Sequence, residues 1–198
     1  MIRQFHLADA FTLLNGFAGT GSMLAFMRFL LEHNKRCFWL GAWLLPAALI
    51  MDVLDGRVAR WRKKASPLGQ ELDSLADVVS FGVAPAAMAF AAGLRGGWDV
   101  LILMYFVGCG ISRLARYNVT ATSLAAESRK VTHFEGFPIP SSLVLAGILA
   151  LLAATDHWQE ALPFGSFELG PMTLHPLALL FAVHGSAMIS KTLRIPKP

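Results

Sequence analysis

The chain has 198 residues, of which 55% are hydrophobic and only 15% charged, with a formal net charge of +4 and a mean hydropathy of +0.54. Soluble domains average roughly 25% charged residues, so the composition excludes an ordinary water-soluble enzyme, and the scarcity of polar tracts excludes disorder. Two cysteines, Cys37 and Cys109, are too few for a disulfide-framed secreted fold.

The apolar runs predict six transmembrane helices in an all-α, polytopic membrane protein, with residues 1–198 forming one membrane domain. Residues 1–9 are expected to form a short amphipathic segment on the membrane surface. Asp9 breaks any early apolar core, which argues against a cleaved signal peptide. Phe11 to Leu31 carries one charge, Arg28. Cys37 to Met51 carries none, and its helical pattern continues through Asp52 and Asp55 toward Arg60. Ser74 to Leu94 carries only Asp77, and Val100 to Ser112 is uncharged between Asp99 and Arg113. Phe137 to Thr155 and Leu169 to Ser190 are uncharged. A spanning helix needs about 20 predominantly apolar residues. The runs from Cys37 and Val100 reach that length only with their charged ends counted as helix. Arg116 to Pro138 is the longest polar connection.

Six helices place both termini on one side. Thirteen Lys and Arg fall there, including Arg57, Arg60, Arg62, Lys63, Lys64, Arg113 and Arg116, against Lys35, Arg36 and Arg95 on the other. The positive-inside rule then puts the termini in the cytoplasm, with the chain in the cell (inner) membrane. The net positive charge reads as membrane-surface charge and not as a nucleic-acid footprint, since no soluble module carries it.

The chemistry is concentrated between Asp52 and Asp77. Asp52 and Asp55 are three positions apart, and Asp73 and Asp77 four, spacings that share a helix face. At 100° per residue, Asp52, Asp55, Gly56 and Ala59 form a stripe about 100° wide, and Gly69, Asp73 and Asp77 one about 80° wide. Insertion scales charge about 2.5–3.5 kcal/mol for each Asp at a helix centre. Ion pairing with Arg57, Arg60 or Arg62 accounts for one or two of these carboxylates, but not for four interleaved with glycine. Four carboxylates match the charge of two Mg²⁺ ions, which favour oxygen ligands and keep positions open for substrate phosphates. Two such ions can clamp the attacking and leaving oxygens of a phosphoryl transfer. Gly56 and Gly69 leave room for a phosphate or nucleotide, and Arg60 offers a planar fork.

The pattern Asp-x2-Asp-Gly-x2-Ala-Arg-x8-Gly-x3-Asp-x3-Asp, from Asp52 to Asp77, resembles the signature of the CDP-alcohol phosphatidyltransferases at all eight positions. That resemblance implies a six-helix membrane enzyme, usually a homodimer, which transfers a phosphatidyl group from a CDP-linked lipid to an alcohol and releases CMP. It implies that Asp52, Asp55, Asp73 and Asp77 hold two Mg²⁺ or Mn²⁺ ions. By the same resemblance Asp77 is the base, and Gly56, Ala59, Arg60 and Gly69 line the CDP site. Asp9-x2-Thr12-x2-Asn15 looks like the family's entry to its first helix, with Asn15 near the nucleotide or metals.

The signature does not choose the acceptor. Leu72 to Pro85, Ile111 to Asn118 and Phe134 to Ser141 are similar to the serine-accepting members of the small bacterial and archaeal membrane type. This implies CDP-diacylglycerol and L-serine as substrates, among membrane lipids. One departure is Ser141 and Ser142, where the family often has Ala. Arg113 and Arg116 are candidate partners for a carboxylate or phosphate, or simply positive-inside anchors. Asn118 is a candidate for the serine amino group or a helix cap. Glu135 is a candidate for the ammonium or an ordinary loop carboxylate. Gly136, Pro138 and Pro140 predict a rigid re-entry turn. Glycerol phosphate or inositol phosphate as acceptor, or an ether-linked donor, would use the same chemistry. More distant readings are an intramembrane prenyltransferase, whose Asp-rich motifs are spaced differently, and a cation transporter.

The six His have no paired metal spacing. Cys37 and Cys109 read as packing residues. Gly16, Gly19 and Gly21 permit close packing of the first helix, and Trp39, Trp43 and Trp98 read as interfacial anchors.

Overall fold

A computed structural model describes residues 7–62, 67–126, 133–190, 192 and 194–196. It is almost entirely helical, and the chain divides into two compact units, Met1–Ala91 and Ala92–Pro198. The expected N-terminal surface segment falls largely outside the described residues.

The first unit is built from three long helices. Helix α1 runs Leu7–Glu32 and α2 Lys35–Arg62. Between them His33 takes φ +53° and ends α1, while Asn34 Oδ1 accepts the Arg36 N–H at 3.0 Å and caps α2. Arg28, the one charge in the first apolar run, pairs with Glu32 at 2.8 Å on an exposed face near the end of α1. The third helix is continuous but changes character. It is α3 over Pro67–Asp77, a π-helical turn over Val78–Val83, then α4 over Ala84–Ala92.

Small residues set how closely these helices approach. A Cβ at Gly41 of α2 would stand 2.7 Å from the Phe26 ring, and one at Gly19 of α1 would stand 2.7 Å from the Ser80 Cα. Ser80 Oγ in turn donates to the Asn15 carbonyl at 2.9 Å, and Ser22 Oγ to the Gly41 carbonyl at 2.8 Å. Phe26, Phe29 and Phe38 fill the space beside them, with ring centroids 5.4 and 5.5 Å from Phe38. Gly19→Ala is expected to destabilise the protein by about 1–3 kcal/mol, the usual cost of overpacking, seen as a lower unfolding temperature in detergent. Ser80→Ala in the same chain is expected to restore it only in part, because it removes the Ser80 hydroxyl that the methyl meets first but leaves the Ser80 Cα at 2.7 Å. An unchanged unfolding temperature would contradict this packing.

The second unit holds α5 (Gly97–Ala126), α6 (Leu143–Ala154) and α7 (Leu179–Ile189). Short strands pair as β1 (His133–Glu135) with β4 (Arg194–Pro196), and β2 (Phe167–Leu169) with β3 (Met172–Leu174), both antiparallel. Helices α5 and α7 pack through Phe106 and Phe181, whose rings meet edge to face at 5.2 Å, and Arg116 donates twice to the Ile189 carbonyl at 3.2 and 3.1 Å. Cys37 and Cys109 are buried free thiols, as packing residues should be.

Four described segments are long and apolar enough to cross a membrane: Asp9–Glu32, Lys35–Val58, Leu68–Ala92 and Gly97–Thr120. The second and fourth do so with their charged ends inside the helix. Two shorter apolar helices follow, Ile139–Ala154 and Pro176–Ile189. The expected sixth run, Leu169 to Ser190, is therefore helical only in its second half. Gly170 takes φ +67° and Pro171 cannot, the pattern of a type II′ turn, so the first residues fold into a hairpin. The polar connection is also shorter than expected, because α5 continues past Arg116 to Ala126.

The predicted re-entry turn is present. Gly136 has φ +75°, and a Cβ there would collide with the Met188 carbonyl. Phe137 N–H bonds the Ala187 carbonyl at 3.2 Å, Pro138 is extended, and a 3₁₀ turn over Ile139–Ser142 leads into α6.

Candidate active site

One face of α1 serves carboxylates on two other helices. Asp9, Thr12 and Asn15 recur every three residues and are buried at 3%, 4% and 0% exposure. Thr12 Oγ1 donates to Asp55 Oδ2 of α2 at 2.9 Å, and Asn15 Nδ2 donates to Asp77 Oδ1 of α3 at 3.3 Å. The motif thus acts as a brace that orients one carboxylate from each stripe.

The carboxylates themselves converge. Asp52, Asp55 and Asp73 each present an oxygen within 4.8 Å of the others. Asp77 lies one turn beyond Asp73, buried, at the last α-helical position before the π turn. Such π turns are rare and concentrate at functional sites. Here the turn seats Ser80 on the Asn15 carbonyl, so the same α1 residue fixes Asp77 through its side chain and the π turn through its backbone.

Three ionised carboxylates at this separation repel by roughly 3 kcal/mol per pair at an effective dielectric of 20. Two buried oxygens nearby, Asp73 Oδ1 and Asn15 Oδ1, have no hydrogen-bond partner. Both are acceptors, so the shortfall is of donors or cations. Buried polar atoms are rarely left so, and clustered hard oxygens are the donor set that Mg²⁺ or Mn²⁺ takes. The residues present therefore fit a divalent cation.

The other sequence candidates are distributed as follows. Gly56 succeeds Asp55 in α2 and Gly69 lies in the first turn of α3, both half-buried. The side chains of Ala59, Arg60 and Glu135 lie outside the described residues. Arg113, Arg116 and Asn118 lie on α5 in the second unit. Arg113 is buried and Asn118 half-buried, while Arg116 anchors the C-terminal end of α7 through Ile189.

Thr12 and Ser80 had no assigned role in the sequence reading. The i, i+3 spacing of Asp9, Thr12 and Asn15 was the available signal for the first; nothing local marks the second. The unusual pair Ser141 and Ser142 is partly explained. Ser141 Oγ donates to the Pro138 carbonyl at 2.6 Å, so its lone pair accepts from His184 Nε2 at 3.0 Å and fixes that ring's tautomer.

The carboxylate cluster of this polytopic helical protein is the donor set that metal-assisted phosphotransfer uses, and comparison with known proteins gives the family. Residues 5–184 match the CDP-alcohol phosphatidyltransferase model, and the chain belongs to that family of phosphotransferases. Its relatives include proteins named CDP-diacylglycerol–serine O-phosphatidyltransferase. One from Saccharomyces cerevisiae is 46% identical over 201 residues, covering 100% of this chain and 73% of the relative. One from Mycobacterium bovis is 39% identical, covering 81% of this chain and 55% of its own length. One from Helicobacter pylori is 42% identical, covering 62% and 51%. The chain thus spans about half the length of the mycobacterial and Helicobacter proteins.

Proposed function

We propose that this protein transfers the phosphatidyl group of CDP-diacylglycerol to the hydroxyl of L-serine, giving phosphatidylserine and CMP. The observation that carries the reading is the convergence of Asp52, Asp55 and Asp73, with Asp77 braced by Asn15 one turn on. The naming of the relatives supports serine as the acceptor.

The serine Oγ attacks the lipid-side phosphorus of the pyrophosphate. The bond from that phosphorus to the bridging oxygen breaks, and CMP leaves with the electron pair. Asp77 takes the hydroxyl proton. Asn15 holds one Asp77 oxygen, which orients the carboxylate as a base. Asp52, Asp55, Asp73 and Asp77 would hold two Mg²⁺ or Mn²⁺ ions, which supply charge neutralisation for the pyrophosphate when bound. Gly56, Ala59, Arg60 and Gly69 bind the CDP moiety, where the glycines admit the nucleotide and Arg60 forks onto a phosphate. Arg113, Arg116, Asn118 and Glu135 are assigned to the acceptor on sequence grounds. The excess of Lys and Arg puts the carboxylates at the cytoplasmic face of the inner membrane, where the lipid tails stay in the bilayer and the nucleotide is reached from water.

The test is CMP release by purified protein in detergent, given CDP-diacylglycerol, Mg²⁺ or Mn²⁺, and one alcohol at a time. Serine-dependent release that a chelator abolishes and added metal restores is the expected result. Release with glycerol phosphate or inositol phosphate in place of serine would overturn the acceptor and keep the phosphotransfer. No release with any alcohol would overturn the reaction.

A further inference from the structure

The second unit contains a cavity, lined by polar and apolar groups alike, that the proposed phosphotransfer does not use. It begins at the Gly96-Gly97-Trp98-Asp99 start of α5. A Cβ at Gly96 would collide with the Thr173 carbonyl, and one at Gly97 would stand 2.6 Å from the Met172 sulfur, so β3 lies directly across this first turn. Trp98 Nε1 fastens the hairpin by donating to the Leu169 carbonyl at 2.9 Å. Asp99, fully buried, accepts from the Gly96 N–H at 2.8 Å, as in a capping box. It also accepts both the backbone N–H of His175 at 2.8 Å and its ring Nδ1 at 2.6 Å.

Those bonds fix the imidazole. Nδ1 faces Asp99, so Nε2 is the ring nitrogen left for another partner. His175 lines a cavity of about 400 Å³ together with Arg95, Gln159, Glu160 and Ser166. Part of its lining has unusual backbone: Gly93 (φ +129°), Gln159 (φ +54°) and Gly165 (φ +63°). Left-handed non-glycine residues are costly and cluster at ligand clamps. The volume lies in the range of small-molecule sites.

Ile139–Ala154 and Pro176–Ile189 span about 24 and 21 Å at 1.5 Å per residue, short of a hydrocarbon core of about 30 Å. The segment joining them exposes Phe164 at 77%, Phe167 at 59% and Leu169 at 56%, side chains suited to the interfacial layer. These two features are the ground for taking the cavity as one that faces lipid headgroups.

We propose that this cavity binds an amino-phosphate zwitterion, the chemistry of a phospholipid headgroup that pairs a phosphate with a primary ammonium. Arg95 and the Ser166 hydroxyl offer donors to the phosphate. Glu160 offers an acceptor to the ammonium. A wholly anionic headgroup would set its charge against Glu160, so the site discriminates by the amine. Its ligand is distinct from both substrates of the phosphotransfer in where it is held.

Isothermal titration calorimetry on the full chain in phosphatidylglycerol nanodiscs tests this, with dihexanoyl-phosphatidylethanolamine, free phosphoethanolamine and inorganic phosphate as probes. Saturable binding of the short-chain lipid is expected, at least tenfold weaker in Glu160→Gln and in Arg95→Gln. These variants leave the Asp99–His175 pair intact, whereas His175→Ala also strips Asp99 of its partner. Comparable binding of free phosphoethanolamine would support the site with a soluble ligand as its source; binding of the lipid alone assigns the headgroup. Serine-dependent CMP release is expected to be unchanged in Glu160→Gln, which separates this site from the phosphotransfer. Absence of saturable binding, or equal binding of inorganic phosphate insensitive to Glu160→Gln, would overturn the proposal.

Discussion

Asp77→Asn is expected to lower the rate of CMP release by about 10²–10⁴-fold, the usual contribution of a positioned general base, while CDP-lipid binding is largely retained. The two side chains have the same shape, and the amide keeps an oxygen for the Asn15 Nδ2 that now holds Asp77 Oδ1 at 3.3 Å. What disappears is the basic oxygen. The brace from α1 and the π turn behind it stay in place, since Ser80 bonds the Asn15 backbone and not its side chain. Single-turnover CMP release, measured beside equilibrium binding of the CDP-lipid, separates the two effects. Near-normal turnover in Asp77→Asn would mean that another group takes the serine proton.

Asp55→Ala should act differently, weakening metal-dependent binding and turnover together. Asp55 is one corner of the trio whose oxygens lie within 4.8 Å of one another, and it is the residue that Thr12 orients. Loss of an outer-shell partner alone costs about 10–100-fold in metal affinity, so loss of a ligand should cost at least that. Stability gives a second readout with the opposite sign. Without a cation, each pair of the trio repels by roughly 3 kcal/mol when both members are ionised, and removing Asp55 relieves two of the three pairs. In a chelator the variant should therefore unfold at or above the temperature of the parent, less the small loss of the Thr12 bond. Added Mg²⁺ should raise the unfolding temperature of the parent and not that of the variant, since a ligand stabilises only the state that binds it. A variant less stable than the parent in chelator, with both stabilised equally by Mg²⁺, would show that Asp55 has a packing role instead.

The legible parts of the sequence were those governed by local pattern. Long apolar runs set the helices of the first unit, because a segment in lipid must satisfy its backbone internally. The i, i+3 and i, i+4 spacings put Asp52 with Asp55 and Asp73 with Asp77 on shared faces, and Gly136 marked the re-entry turn. The hairpin at Phe167–Leu174 was missed because its residues are as apolar as a helix would be, and only Gly170-Pro171 betrays the turn. The reach of α5 was missed because Arg113 and Arg116 read as the end of a span and the residues after them include weak helix formers such as Asn118, Val119 and Thr120, yet the helix runs on to Ala126. The Asp99–His175 bond joins residues 76 apart, and no periodicity reports a contact of that kind.

By itself the sequence determined a polytopic helical membrane protein, its carboxylate stripes and its family signature, since each depends on composition or on spacing within one helix. Only the tertiary structure decided that three carboxylates from two helices meet within 4.8 Å and that a third helix braces Asp55 through Thr12 and Asp77 through Asn15. Only it decided that Asp77 ends a turn of α-helix against a π turn seated by Ser80. The physical reason is that such contacts depend on how closely helices approach and on their relative rotation. Both are set by residues such as Gly19 and Gly41, whose lack of a side chain admits a partner from another helix.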